Sequence, residues 1–134
     1  MMQPILVYQS CKVEDNMNSN FSTKKNEYKS TLTDDILPFW LKNGLDGKYG
    51  GYLTALDRKG NVIDSDKSIW VHGRFSWVLS STYADVEQRQ EWLDAAADGL
   101  EFLDKYGFDD DGRMYFRVTR DGRPLIKRIR YFFS

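Results

Sequence analysis

The sequence predicts a mainly α-helical protein of stacked helical hairpins, with short β-hairpins between the helices. Three observations carry this. Apolar residues recur at i, i+3, i+4 and i+7 through three long stretches, the spacing of a helix with one buried side. Two short strand-like stretches surround the turn sequences Asp57-Arg58-Lys59-Gly60 and Arg120-Asp121-Gly122. The order helix, Gly-x-Asp, hairpin then recurs: Gly44-Leu45-Asp46 and Gly107-Phe108-Asp109 lie 63 residues apart, and the turn glycines Gly60 and Gly122 lie 62 apart. Self-similarity at such a period marks an array whose units bury their apolar faces against one another.

Bulk composition narrows the class further. The 134 residues suffice for one domain whose core buries about two-thirds of the unfolded surface. Aromatics reach 15%, which suits a large core or a sugar-stacking pocket. A net charge of −1 gives no global field favouring nucleic acid or an anionic membrane. The final stretch is locally basic, with Arg117, Arg120, Arg123, Lys127, Arg128 and Arg130; it reads as a solvated hairpin face neutralised by nearby aspartates. Cys11 is the single cysteine, so an intrachain disulfide and a cysteine-based metal site are excluded, and a reducing compartment fits. No apolar run has the length of a membrane span or of a signal peptide's apolar region. The expectation is a cytoplasmic protein without metal or cofactor.

Taken in order, residues 1–20 lack a clear period and read as a loosely ordered leader, with Met17 an alternative start. The domain proper is expected over 21–134. Ser22 or Thr23 caps a first helix, whose apolar face is Tyr28, Leu32, Ile36, Phe39 and Trp40. Pro38 predicts a kink or a break near Leu37, and Gly44 a stop. Gly47, Gly50 and Gly51 form a tight turn where chain segments approach closely. No Lys-Ser/Thr follows them, so this is not a phosphate loop. Residues 52–56 and 61–63 pair as a hairpin. Asp64, Ser65 or Asp66 caps a second helix over 67–83. A third helix covers 86–106, with Trp92, Leu93, Ala96, Leu100 and Leu103 as its stripe and Gly107 as its stop. A second hairpin pairs 114–119 with 124–128. The aspartates at 109–111 lack the glutamate that closes a calcium loop and read as a turn. Tyr131-Phe132-Phe133-Ser134 opens another apolar element without a polar cap, so a longer protein, of which this is the N-terminal piece, is expected.

The stretch from Asp66 to Trp77 organises the rest. Ile69, Trp70, Gly73, Trp77 and Val78 fall on one helical stripe, which predicts that they are buried. Arg74 stands four residues after Trp70, on or beside that stripe. It either lines a polar cavity, pairs with a neighbour, or snorkels to solvent.

Several motifs, in order and at the right spacing, resemble the N-terminal region of the N-acylglucosamine 2-epimerase family, which includes cellobiose 2-epimerases and sugar aldose–ketose isomerases. They are Pro38-Phe39-Trp40-Leu41, Tyr49-Gly50-Gly51-Tyr52, Leu56-Asp57-Arg58-Lys59-Gly60, Asp66-Lys67-Ser68-Ile69-Trp70, Gly73-Arg74, and Tyr115 to Gly122. The final Tyr131-Phe132-Phe133-Ser134 fits as well. The resemblance covers about 25–134 and implies an (α/α)6 barrel of helical hairpins with the active site at one end. It implies C2 deprotonation of a ring-opened sugar, an enediolate, and reprotonation from the other face by two histidines lying C-terminal of this segment. It identifies Arg74 as the arginine near the substrate O1/O2 region and Trp70 as a candidate sugar-facing aromatic. His72 stands where relatives often carry Gln in a Gln-Gly-Arg motif, so it is not equated with a catalytic histidine. The implied partner is a small sugar, with no nucleic acid or membrane, and the resemblance allows a homodimer of the full-length protein. By itself this chain is expected to be inactive. An aldose–ketose isomerase of the same fold and a non-catalytic helical-repeat interaction module are the alternatives.

Overall fold

The computed structural model describes residues 19–126, and chain packing divides the protein into two units, Met1–Pro38 and Phe39–Ser134. In the first unit a helix, α1, already runs over 19–30. Ser22 and Thr23 are therefore inside it and cap nothing; the Thr23 hydroxyl donates back to the Ser19 carbonyl at 2.9 Å. Residues 19 and 20 belong to this helix, and the remainder of the expected leader lies outside the described residues.

The Pro38 break takes an unexpected form. The helix widens into a π-helical stretch, Thr31–Ile36, in which the Leu37 N–H bonds to the Leu32 carbonyl, and then continues as α2, Leu37–Asn43. A proline ring clashes with the carbonyl four residues earlier and offers no N–H of its own. Widening the preceding turn relieves both problems without ending the helix. The extra residue also rotates the buried side: Ile36 is 44% exposed, while Thr33 and Leu37 are buried. The expected face through Tyr28 and Ile36 is thereby displaced.

In the second unit, α2 stops at Gly44, whose N–H bonds to the Trp40 carbonyl at 2.7 Å. The reason for glycine is space, not a left-handed backbone. A Cβ there would lie 2.8 Å from the Trp40 oxygen, and one at Gly107, the stop of the later helix, 2.4 Å from the Leu103 oxygen. Beyond Gly44 the chain forms a hairpin of β1, Ala55–Leu56, with β2, Val62–Asp64. Strand β3, Lys67–Ser68, leads straight into α3, Ile69–Asp85. A short link joins α3 to α4, Gln90–Tyr106, and the two helices pack together. The second hairpin, β4 (Arg117–Val118) with β5 (Pro124–Ile126), adds to β3 as a three-stranded antiparallel sheet in the order β3-β4-β5. The core lies where that sheet meets the helices, around Ile69, Phe102 and Val118. The expected strand residues 127 and 128 and the apolar element at 131–134 lie outside the described residues.

Four expectations are corrected here. The helix expected from 67 begins at Ile69, because Lys67 and Ser68 pair with Val118 and Arg117 as a strand, and Ser68 takes the N-cap position instead of residues 64–66. The helix expected from 86 begins at Gln90. Of the apolar stripe expected on α3, Ile69 is buried but Trp70 and Trp77 are 49% and 68% exposed; the inward side is Ile69, His72, Ser76, Leu79 and Thr82. On α4, Trp92 and Ala96 are buried as expected, but Ala95, Gly99 and Phe102 complete that face and Leu93 and Leu100 are exposed. Specific partners decide both cases. The Tyr52 hydroxyl enters between the helices, sharing a 2.9 Å hydrogen bond with Ser76 Oγ and donating to the Ala95 carbonyl at 2.7 Å. Only glycine fits beside it, since a Cβ at Gly99 would fall 2.1 Å from that hydroxyl oxygen.

The repeat seen in the sequence recurs bond for bond. Gly44 N–H to Trp40 matches Gly107 N–H to Leu103; Leu53 N–H to Gly44 matches Tyr115 N–H to Gly107; Gly60 N–H to Asp57 matches Gly122 N–H to Thr119. The bridges Leu45–Tyr52 and Phe108–Met114 also correspond. Asp46 N–H reaches Gly51, whereas Asp109 N–H reaches only Arg113. The second loop is thus one residue shorter, which accounts for the change of offset from 63 to 62 along the repeat.

Candidate functional site

The first turns of α3 are held from several sides. The Ile69 N–H donates to the Phe116 carbonyl at 3.2 Å. His72 is fully buried; its Nε2 accepts the Tyr52 N–H at 2.8 Å, and its Nδ1 lies 2.8 Å from the Ser68 carbonyl. An acceptor at one nitrogen and a donor at the other define the neutral ring with its proton on Nδ1. Burial pushes its pKa down to about 4, although the Ser68 bond opposes the change. The ring stacks on Phe102 and lies 4.9 Å from the Tyr52 ring. Gly51 makes room for it, because a Cβ there would lie 2.7 Å from His72 Nε2. The Gly51 N–H in turn donates to Asp98 Oδ2 at 2.8 Å. Both nitrogens of His72 serve the backbone, so neither is free to move a substrate proton.

One residue before the helix N-cap stands a buried ion cluster. Lys67 Nζ lies 2.9 Å from Asp46 Oδ2, and neither side chain has exposed surface. Lys67 also donates to the Gly50 carbonyl at 2.5 Å and sits 4.1 Å from the centre of the Phe102 ring. Arg120 closes the other side of the carboxylate with two bonds, Nε to Oδ2 at 2.9 Å and Nη2 to Oδ1 at 2.8 Å. Burial alone pushes the Asp46 carboxyl up; the bonds from Arg120 and Lys67 outweigh it and hold the group well below the usual carboxylate range. Removing two charges from water costs several kcal/mol per ion, so a pair of this kind persists only with full hydrogen bonding on both sides.

Trp70 and Arg74 lie on the opposite side of α3. The Arg74 guanidinium carbon is 4.2 Å from the centre of the Trp70 ring, a cation–π stack. Both side chains are exposed, and among the described residues Arg74 forms no ion pair. Its donors are free to meet an anionic oxygen, while the indole holds one face of the guanidinium. The structure therefore brings the two residues singled out in the sequence side by side and keeps His72 apart from them.

Sequence reasoning missed the Asp46, Lys67 and Arg120 cluster. By residue order Asp46 belongs to the Gly-x-Asp repeat, Lys67 to the start of a helix, and Arg120 to a solvated basic face. The described arginines of that face are paired with aspartates as expected, Arg117 with Asp64 and Asp66 and Arg123 locally with Asp121, but the aspartate that Arg120 reaches is the buried Asp46; Lys127, Arg128 and Arg130 lie outside the described residues. A signal was present in the repeat, since Arg120 lies 62 residues after Arg58 and Asp46 lies 63 before Asp109. The same residue types stand at the same turn positions.

The helix–hairpin–helix order and its repeat place the chain among the helical-hairpin barrels. It superposes on the cellobiose 2-epimerase from Bacillus thermoamylovorans B4167 with a TM-score of 0.71 at 31% identity, covering 78% of this chain and 27% of that one; the fold of such neighbours is an (α/α)6 barrel. The family model for N-acylglucosamine 2-epimerase (GlcNAc 2-epimerase) matches residues 51–133, and the chain belongs to that family. The N-acylglucosamine 2-epimerase of Mus musculus is 39% identical over 105 residues, 75% of this chain and 25% of that protein. The cellobiose 2-epimerase of Ruminococcus albus is 33% identical over 104 residues, 73% of this chain and 25% of that protein. The chain thus spans about a quarter of the length of these relatives.

Proposed function

We propose that this chain contributes the Arg74 and Trp70 part of a sugar 2-epimerase site, acting on N-acylglucosamine or a related aldose by deprotonation and reprotonation at C2. The observation that carries the reading is the exposed Trp70–Arg74 stack at the start of a firmly anchored helix. Loss of the C2 proton from an open-chain aldose leaves an enediolate with negative charge on O1 and O2. A guanidinium already in place lowers the barrier to that charge by about 3–4 kcal/mol, and the indole face offers a surface for the sugar carbons. His72, the single histidine, is a framework group in this reading, so the chain alone supplies no acid/base pair. A cytoplasmic location fits its single cysteine.

Two assays test the proposal. The 134-residue chain by itself is expected not to epimerise N-acetylglucosamine or cellobiose; turnover would contradict the assignment of acid/base chemistry to residues elsewhere. Grafted in place of its counterpart in the mouse enzyme, the segment 39–133 is expected to support turnover. There, Arg74→Ala should lower kcat/KM about 10²- to 10³-fold. Full activity of the grafted Arg74→Ala protein would sink the role of Arg74.

A further inference from the structure

Hydrophobicity alone does not set the rotation of α3. Its inward side carries the polar His72, Ser76 and Thr82 beside Ile69 and Leu79, while Trp70 and Trp77, which would gain most from burial, stand in solvent. Tyr52 holds the helix in that rotation at Ser76, and a second anchor lies at its start. Lys67 is three residues before Trp70, fully buried, and bound at once to Asp46 Oδ2 and the Gly50 carbonyl. Asp46 belongs to the loop of the first repeat, and Arg120, from the turn of the second, grips the same carboxylate with two bonds. A buried ion pair is a poor source of net stability compared with an apolar contact, but its directional bonds admit a single arrangement.

We propose that Lys67 is a positioning residue. Clamped by Asp46, Gly50 and, through Asp46, Arg120, it fixes the rotation of α3 and so presents Trp70 and Arg74 on the open side. The inference rests on the reading of those two residues as the sugar-facing pair, but its geometric content is separate from turnover.

The test is fluorine NMR on the whole chain labelled with fluorotryptophan. The chain has four tryptophans, assigned by single Trp→Phe variants, and the Trp70 resonance is marked by its response to Arg74→Ala. Lys67→Met is expected to move the Trp70 resonance toward its Arg74→Ala position and to leave that of buried Trp92 unchanged. Arg120→Met should do the same more weakly, and Arg120→Lys, which keeps a cation on Asp46, should restore the native position. An unmoved Trp70 resonance in folded Lys67→Met overturns the proposal. Should Lys67→Met not fold, Arg120→Met decides: an unmoved Trp70 resonance there, or simultaneous loss of all four native positions, assigns the cluster a purely structural role. Because this readout needs no catalysis, an inactive graft with a clamp-dependent Trp70 resonance would retain the clamp and discard the sugar reading. In an active graft, Lys67→Met is expected to lower kcat about 10- to 100-fold with KM little changed.

Discussion

At the scale of single residues, His72 gives the sharpest prediction. Its folded pKa of about 4 lies below the ordinary value of 6.5, so the unfolded chain binds the proton more readily. The stabilisation from neutral His72 is complete above about pH 6.5 and is lost as pH falls toward 4, a total of about 3 kcal/mol. Asp46 adds a second loss at lower pH, since its depressed carboxyl must be protonated as the fold opens. A Gln at this position carries one acceptor and two donors and so has the groups for both bonds of His72, accepting the Tyr52 N–H and donating to the Ser68 carbonyl. His72→Gln should therefore stay folded and lose the slope between pH 6.5 and 4. His72→Leu leaves the Tyr52 N–H unpaired and should cost about 1–3 kcal/mol. Urea titrations at pH 7 and pH 5 check all three proteins, and an unchanged slope in His72→Gln would contradict the assignment.

At the scale of elements, α3 and α4 pack around Tyr52, whose hydroxyl burial pushes up to about 12. Gly99→Ala drives a methyl group into that ring. The ring cannot retreat without breaking its bonds to Ser76 and Ala95, so the expected destabilisation is about 1–3 kcal/mol or more by urea denaturation; a neutral result would mean that α3 and α4 can separate freely. The first hairpin depends on the Asp57 side chain, which accepts the Lys59 and Asn61 N–H groups and the Asn61 amide. Asp57→Ala should speed hydrogen exchange at both backbone amides while leaving those of α4 protected. Turn and helix stops of this kind were legible in the sequence, because they depend on residues within a few positions of one another. The inward faces of α3 and α4 were not. Periodicity counts apolar residues, whereas these faces were settled by hydrogen bonds to Tyr52 from residues 24 and 43 positions away.

At the scale of the whole chain, exposed apolar side chains have a solution consequence. Trp70, Trp77, Leu93 and Leu100 stand in solvent, and clustered apolar exposure favours association. The isolated chain is expected to self-associate as its concentration rises, and Trp77→Lys with Leu100→Lys to weaken this, as sedimentation velocity would show; a monomer at all concentrations would refute it. The candidacy of Arg74 and Trp70 comes from the family resemblance of their motif, whereas the sequence by itself determined the mainly helical class, the 62–63-residue repeat and both hairpin turns. Those signals are local, or recur at a fixed spacing, so they can be read from residue order. Only the tertiary structure decided that Pro38 widens the helix instead of ending it, that Lys67 lies in a strand, that His72 serves the backbone, and that Arg120 closes on Asp46 across 74 residues. Each of those depends on which distant group supplies the partner, and burial makes that partner decisive, because a polar group without one loses its hydration and gains nothing in return.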